Sequence, residues 1–513
     1  MTTSSAEDQR AIFAFLQDPA SHGRTEPVTR IDTHGAAVFL AGPDVYKVKK
    51  AVRFAFMDFS TIEKRRVACN AELVVNRANA PGLYLGVVPI TLNGQGLHLG
   101  GDGEIVEWAV HLRRFDEGAT LDRLAARGPL GTVLIDALAQ AVAEAHRVAP
   151  RRDGVAATGA LRRLLVETTD ELIAADAIFP FEAAAAFAAT LAAAFDRVAP
   201  LLARRAREGQ VRRCHGDLHL GNLVLIDGAP VLFDAIEFDE AIATTDILYD
   251  LAFLVMDLCE RGLKPDANRF LNRYLAATED QALQIEGLAA LPLFLSLRAA
   301  IRAKVLAAQL RLDRSKPDLK EQALAYFKAA TRFLAPVPAI LVAIGGLSGT
   351  GKTTLAAAIA PELGRAPGAL HLRSDVERKH LLGVSETRRL PEGAYQPEIS
   401  EAVYARLQAL ADAALHAGQT VIVDATCQQP DDRSAIAAVA ARASVPFVGI
   451  WLEAPVQLLA RRVTERRGDA SDADAAVVAA QARHGAGEIL WNRLNAVQSL
   501  EALKARALAL TSS

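Results

Sequence analysis

The chain has 513 residues, 51% of them hydrophobic and 23% charged, which excludes a disordered class and argues for more than one globular domain. Lys plus Arg total 57 against 60 Asp plus Glu, a formal net charge of −3, so bulk charge gives no argument for a nucleic-acid or membrane partner. Cys69, Cys214, Cys259 and Cys427 lie far apart, without metal-ligand or disulfide spacing, as expected of reduced thiols in a cytoplasmic protein.

The start, MTTSSAEDQR, lacks the basic-then-apolar order of a secretory signal, and apolar stretches such as LAALPLFLSL are too short to span a bilayer. The first hundred residues read as strands and turns. AAVFL (36–40) and VYKVKK (45–50) flank Gly42-Pro43-Asp44, which predicts a hairpin. Lys47 and Lys49 share one face of the second strand, where the alternative is a merely solvated pair. Ser60 to about Ala80 has helical periodicity, and Ser60-Thr61-Ile62-Glu63 matches a capping box. LYLGVVPITL and IVEWAVHLRRF are further strands. The pattern is helical from about Leu121 to Gln210, a loop-and-strand patch follows at 214–239, and helices resume to about Leu334. Near Pro336 and Pro338 the texture changes. AILVAI leads into a glycine turn and a helix, and the apolar strands TVIVDAT (420–426) and FVGIWLEAP (447–455) are separated by helical segments. Strands alternating with helices predict a parallel α/β sheet, with the domain boundary near 336.

The run CHGDLHLGN (214–222) places Asp217 and Asn222 in D-x-x-x-x-N spacing, and VLFDAIEFD puts Asp234 after the next apolar strand. Phosphoryl transfer from a nucleotide needs oxygen ligands for Mg2+ and an acceptor for a hydroxyl proton, and Asp and Asn supply both. A loop, strand, turn, strand layout would carry all three side chains to one edge. His215 and His219 read as braces of the loop, since no third metal ligand has suitable spacing.

At these residues the sequence resembles the aminoglycoside phosphotransferase family, relatives of protein kinases that phosphorylate small-molecule hydroxyls. The resemblance implies a two-lobed α+β protein-kinase-like domain over 1–335, with a small lobe at about 25–115 and a helical lobe at about 120–335. It implies Asp217 as catalytic base, Asn222 and Asp234 as Mg2+ ligands, and Lys47 as the lysine on the α- and β-phosphates. Glu72 would be that lysine's ion-pair partner, and Asp250 in Tyr249-Asp250-Leu251-Ala252 would brace the catalytic loop. The chain departs from the family in lacking G-x-G-x-x-G before the lysine strand, where only Gly35 and Gly42 occur, and in reading Asp-Ala-Ile at 234–236. Glu237, Asp239 and Glu240 offer acidic residues that could attract a cationic or amino-bearing acceptor.

GLSGTGKT (346–353) fits G-x-x-x-x-G-K-[ST] between an apolar strand and a helix, the setting a P-loop (Walker A) needs. Backbone N–H groups over Gly346, Ser348, Gly349, Thr350, Gly351 and Thr354 can enclose phosphate oxygens, with Lys352 at the β/γ-phosphates and the Thr353 hydroxyl on Mg2+. Asp375, in LRSDVERKHL, could take the proton of an acceptor hydroxyl; Ser374-Asp375-Val376-Glu377 is also a capping box. Asp424 ends VIVDAT and suits a Walker-B-like Mg2+ contact. Arg462 and Arg466 lie one helical turn apart and could close as a lid, or form a solvated basic face. This half, 338–513, resembles small P-loop kinases of the gluconate kinase, polynucleotide kinase and zeta-toxin type. The joint expectation is a bifunctional chain using ATP and Mg2+ to phosphorylate a hydroxyl of a small molecule such as a sugar or amino sugar. The alternative makes the P-loop half a regulatory ATPase or a nucleic-acid 5′-end kinase.

Overall fold

The computed structural model describes residues 8–54, 57–312, 318–386, 388–465 and 470–511. The chain divides into two compact units, one running up to Leu164 and including Ala203–Asp257, the other combining Leu165–Leu202 with everything from Leu258 onward.

The first unit holds a six-stranded antiparallel sheet, ordered Thr29–Asp32, Ala36–Ala41, Asp44–Lys49, Glu104–Arg113, Tyr84–Asn93, Gly96–Leu99. The expected hairpin forms. Its Gly42 has φ +62°, the left-handed region that favours glycine. One face of the sheet buries Ala37, Phe39, Val48 and Ile90 beneath Ile12 and Leu16 of the helix Arg10–Gln17. That helix was absent from the sequence expectation: it has eight residues and no side-chain cap, so nothing local announces it. The other face buries Val45, Tyr84, Val110 and Leu112 with Cys69 of the helix Ile62–Arg77. Alternation along Asp44–Lys49 sends Lys47 and Lys49 to this second face, toward the helix. The helix begins one residue later than the proposed capping box requires. Thr61 is the N-cap, accepting from the Lys64 N–H at 3.3 Å, while the Ser60 hydroxyl donates to Asp58 and Glu63 pairs with Arg66.

Between the sheet and the motif loop come the helices Thr132–Val148, Gly154–Ile173 and Phe181–Arg207. Against the expectation from the sequence, Phe181–Arg207 is long and apolar enough, by length and composition, to cross a membrane. Alanine is its commonest residue, and Phe187, Leu191, Phe195 and Leu202 are buried.

In the second unit a parallel sheet of five strands runs Leu370–Arg373, Val421–Asp424, Leu341–Gly345, Phe447–Glu453, Asn492–Asn495. The three apolar strands read from sequence are the central ones, buried on both faces among Val342, Ile344, Ile422, Ile450 and Leu452. Asn492–Asn495 is an edge strand of polar, mostly exposed residues and gave no apolar signal. At the opposite edge, the helix Lys264–Ala277 lies along Leu370–Arg373. The Ala369 carbonyl accepts from Asn268 Nδ2 at 2.9 Å and Asn272 Nδ2 at 3.2 Å, and the His371 N–H donates to Asn272 Oδ1 at 2.7 Å. Residues four apart on a helix share a face, so two amides reach one strand.

Candidate active sites

In the first unit, the strand Asp44–Lys49, the helix Ile62–Arg77 and the loop after the strand Ala229–Leu232 converge. Lys47 Nζ lies 2.8 Å from Glu72 Oε1 and 2.6 Å from Asp234 Oδ1. Glu72 is fully buried. Burial alone would push its carboxyl up, but Lys47 and Lys49 hold it down at about 2. Burial likewise works against the Lys47 ammonium, and the charges of Asp234 and Glu72 outweigh it, raising Lys47 well above its ordinary value. The reading of Lys47 and Lys49 as solvated strand residues is corrected by the same geometry: Lys49 is 3% exposed and pairs with Glu72 and Glu237.

The Asp234 turn is gripped by the same helix and by the strand Tyr84–Asn93. The Ala235 N–H donates to Asn76 Oδ1 at 2.8 Å and the Asp234 N–H to the Tyr84 hydroxyl at 3.1 Å. Asp234 has φ +60°, a left-handed conformation costing about 1 kcal/mol that these bonds sustain. Asn222 Nδ2 donates to Asp217 Oδ2 at 2.9 Å and to the Asp217 carbonyl at 3.0 Å. His219 Nδ1 accepts the Gly221 N–H at 3.0 Å, which leaves the proton on Nε2, 3.4 Å from Asp217 Oδ2. His215 Nε2 donates to the Phe233 carbonyl at 2.9 Å, tying the motif loop to the Asp234 turn; burial holds its pKa below the ordinary 6.5. Buried Asp250 accepts the N–H groups of His215 and Gly216 at 3.3 and 2.8 Å, together with His146 Nε2 at 3.1 Å. Asp257 accepts the Leu220 N–H at 3.1 Å, a brace with no sequence signal.

Each member of the acidic trio after Asp234 has a partner within the protein. Glu237 pairs with Lys49, Asp239 caps the short helix Glu240–Ala243, and Glu240 pairs with Arg152 at 2.8 Å and Arg213 at 3.4 Å.

In the second unit, a cavity of about 790 Å3 is lined by Ser348–Thr354, Arg373, Asp375, Asp424 and Arg462, among others. Gly349 and Gly351 have φ +83° and +89°, and a Cβ on Gly349 would come 2.8 Å from the Leu459 carbonyl. The glycines let the turn fold tightly; within it the Ser348 N–H donates to Gln481 Oε1 at 2.9 Å and the Thr350 N–H to the Leu347 carbonyl at 3.3 Å. Gly346 leaves the strand with its N–H on the Thr426 carbonyl at 3.1 Å. Lys352 Nζ donates to the Leu347 carbonyl at 3.1 Å, and the Thr353 hydroxyl donates to Asp424 Oδ2 at 2.6 Å. Asp424 is buried, which would raise its pKa, yet His371 at 3.1 Å, Arg373 and Lys352 bring it to about 2. Sequence reasoning missed His371 and Arg373, which precede Asp375 in the edge strand.

Asp375 lies in the helix Ser374–Leu381, whose N-cap is Arg373 with no side-chain cap bond, so the proposed capping box does not form there either. Glu377 instead turns inward, 2.6 Å from Arg406 Nε and 3.2 Å from Gln281 Nε2. Arg462 Nη2 donates to the Ala496 carbonyl at 3.0 Å. Arg466 lies outside the described residues.

A model of the phosphotransferase enzyme family matches residues 58–285, and an AAA-domain model matches 341–486. Uncharacterised proteins of Mycobacterium tuberculosis and Mycobacterium bovis are each 31% identical over 459 residues, covering 88% of this chain and 89% of theirs. The chain belongs to their family. It joins a kinase-like phosphotransferase domain to a P-loop kinase domain with a parallel sheet, and it is an enzyme of the kinase class. Among solved structures, a sugar kinase from Janibacter sp. is 22% identical, covering 34% of this chain and 95% of its own, with a TM-score of 0.28. A choline/ethanolamine kinase family protein from Mesorhizobium loti is 14% identical, covering 64% and 95%, with a TM-score of 0.37.

Proposed function

We propose that the chain carries two ATP-dependent phosphotransfer sites, each passing the γ-phosphoryl group to a hydroxyl of a small molecule, with a sugar, amino sugar or related metabolite as the acceptor class and the cytoplasm as the compartment. The contact of Lys47 with both Glu72 and Asp234, beside a loop in which Asn222 fixes Asp217, carries the reading.

The donor sets fit magnesium. Asn222 and Asp234 offer amide and carboxylate oxygens at one site, and the Thr353 hydroxyl with Asp424, 2.6 Å apart, offers hard oxygens at the other. Magnesium, when bound, supplies neutralising charge for the β- and γ-phosphates. The chain's own residues do the rest. At the first site Glu72 holds Lys47 for the phosphates. Asp217, oriented by Asn222 and His219, receives the proton of the acceptor hydroxyl. The acceptor oxygen then bonds to the γ-phosphorus, the β–γ bridging bond breaks, and ADP leaves. At the second site the P-loop N–H groups and Lys352 bind the phosphates, Asp375 takes the hydroxyl proton, and Arg462, which lines the cavity, acts as a closing cation. The cavity's volume falls within the roughly 300–1,000 Å3 of small-ligand sites.

The test is a metabolite-library screen for ATP-dependent gain of one phosphate, run on the wild-type chain, Asp217→Asn and Lys352→Ala. Each variant should lose one class of product, with the Asp217→Asn rate down by roughly 10²–10⁴. Products that survive both substitutions would overturn the assignment.

A further inference from the structure

The strand that delivers Lys47 also delivers Lys49, a residue the reaction above does not use. Its ammonium sits 2.6 Å from Glu72 Oε2 and pairs with Glu237, whose side chain is buried. Glu72 therefore bridges two lysines, one on each carboxylate oxygen. With Asp234 on the far side of Lys47, the order Asp234, Lys47, Glu72, Lys49, Glu237 alternates in sign along its whole length. The Phe59 ring lies 5.4 Å from the Lys49 ammonium, and Gln9 Nε2 donates to the Lys49 carbonyl at 2.9 Å, so both ends of this residue are fixed.

The chain as it stands occupies its own phosphate-gripping lysine: Lys47 rests on Asp234, the carboxylate assigned to the metal. Nucleotide binding with its cation requires those two to separate while Lys47 stays on Glu72. A buried carboxylate that kept only that one mobile partner would be poorly compensated and free to turn with it. Lys49 removes that freedom by holding Oε2, and Glu237 in turn holds Lys49.

We propose that Lys49, fixed by Glu237, is a second positioning lysine of the nucleotide site: it immobilises Glu72 so that Lys47 can leave Asp234 for the phosphates without losing its anchor. This rests on the phosphate role given to Lys47 above. Lys49 itself touches no nucleotide in this scheme.

The experiment uses the full chain carrying Lys352→Ala, which silences the P-loop site, titrated with AMPPNP and Mg2+ by calorimetry, with melting temperature as a folding control. Lys49→Met should weaken the Kd about tenfold, the scale of about 1.4 kcal/mol for one disturbed ion pair, and Lys49→Arg should stay within about threefold of the parent. Glu72→Gln should weaken binding too, and adding Lys49→Met to it should cost little more, because both act through one carboxylate. An unchanged Kd in Lys49→Met, or full additivity with Glu72→Gln, would overturn the proposal. If Lys49→Met does not fold, Glu237→Gln keeps the size of the side chain and reads the same connection: its Kd must rise, and an unchanged value counts against the idea. Failure of the underlying reading looks different, since Lys47→Ala would then leave the Kd unaltered as well.

Discussion

Replacing Asp424 with Asn keeps the shape of a buried side chain at the P-loop cavity and deletes its charge. Burial penalises that charge, while His371, Arg373 and Lys352 more than compensate, holding the carboxyl at about 2 against an ordinary 3.8. That drop corresponds to about 2 kcal/mol of folding stability at neutral pH. The sign follows from the direction: the folded value lies below the unfolded one, so the contribution is complete above about pH 4 and disappears as pH falls toward 2. Asn can still accept from Thr353 and His371, so the variant isolates the electrostatic part. Trp451 and Trp491 lie in the parallel-sheet unit and Trp108 in the other, so urea unfolding in a Trp108→Phe background, followed by tryptophan fluorescence, reports on the correct half. The expected penalty at pH 7 is about 2 kcal/mol, with Mg2+-dependent ATP turnover at this site lost. A penalty below about 0.5 kcal/mol, the scatter of ordinary surface changes, would refute the account of what holds Asp424 charged.

Arg205→Met should strand Asp246, which Arg205 meets in a buried two-pronged pair at 2.7 and 2.8 Å, costing about 3–5 kcal/mol by denaturant unfolding; less than 1 kcal/mol would refute it. His215 stays neutral when folded, so the unfolded chain takes up its proton first and stability should decline as pH drops below the ordinary 6.5. His215→Gln should flatten that slope, and unfolding midpoints between pH 7 and 5.5 would measure it. Gln281→Ala removes the amide shared by Glu377 and Arg406, at 3.2 and 2.7 Å, and should cost about 1 kcal/mol. Because Glu377 lies two residues from Asp375 on one helix, Lys352-dependent turnover should fall several-fold with nucleotide affinity unchanged.

What was legible in the sequence was chemistry that fixes residue types at fixed local spacing. Asp217 and Asn222 are five residues apart, and the P-loop is eight residues long with a strand and a helix to confirm it. What escaped depends on contacts between distant segments. Lys49 meets Glu237 across 188 positions and His371 meets Asp424 across 53, and no window of sequence carries either pairing. Both capping boxes failed for a related reason. Glu63 and Glu377 each found a stronger arginine partner, at 2.6 Å in both cases, and the helix start shifted or went uncapped. The edge strand Asn492–Asn495 was invisible because an edge needs no apolar run.

The asparagine pair on the helix Lys264–Ala277 stands where a sixth strand would otherwise attach to the parallel sheet. An unpaired sheet border is an invitation to another molecule's backbone, and here two amides decline it. A polypeptide begun at Pro338 would bare that border. Its first failing would be self-association rather than lost chemistry, because the helix that covers the border belongs to the same compact unit as the sheet, a unit that takes in Leu165–Leu202 as well as everything from Leu258 onward.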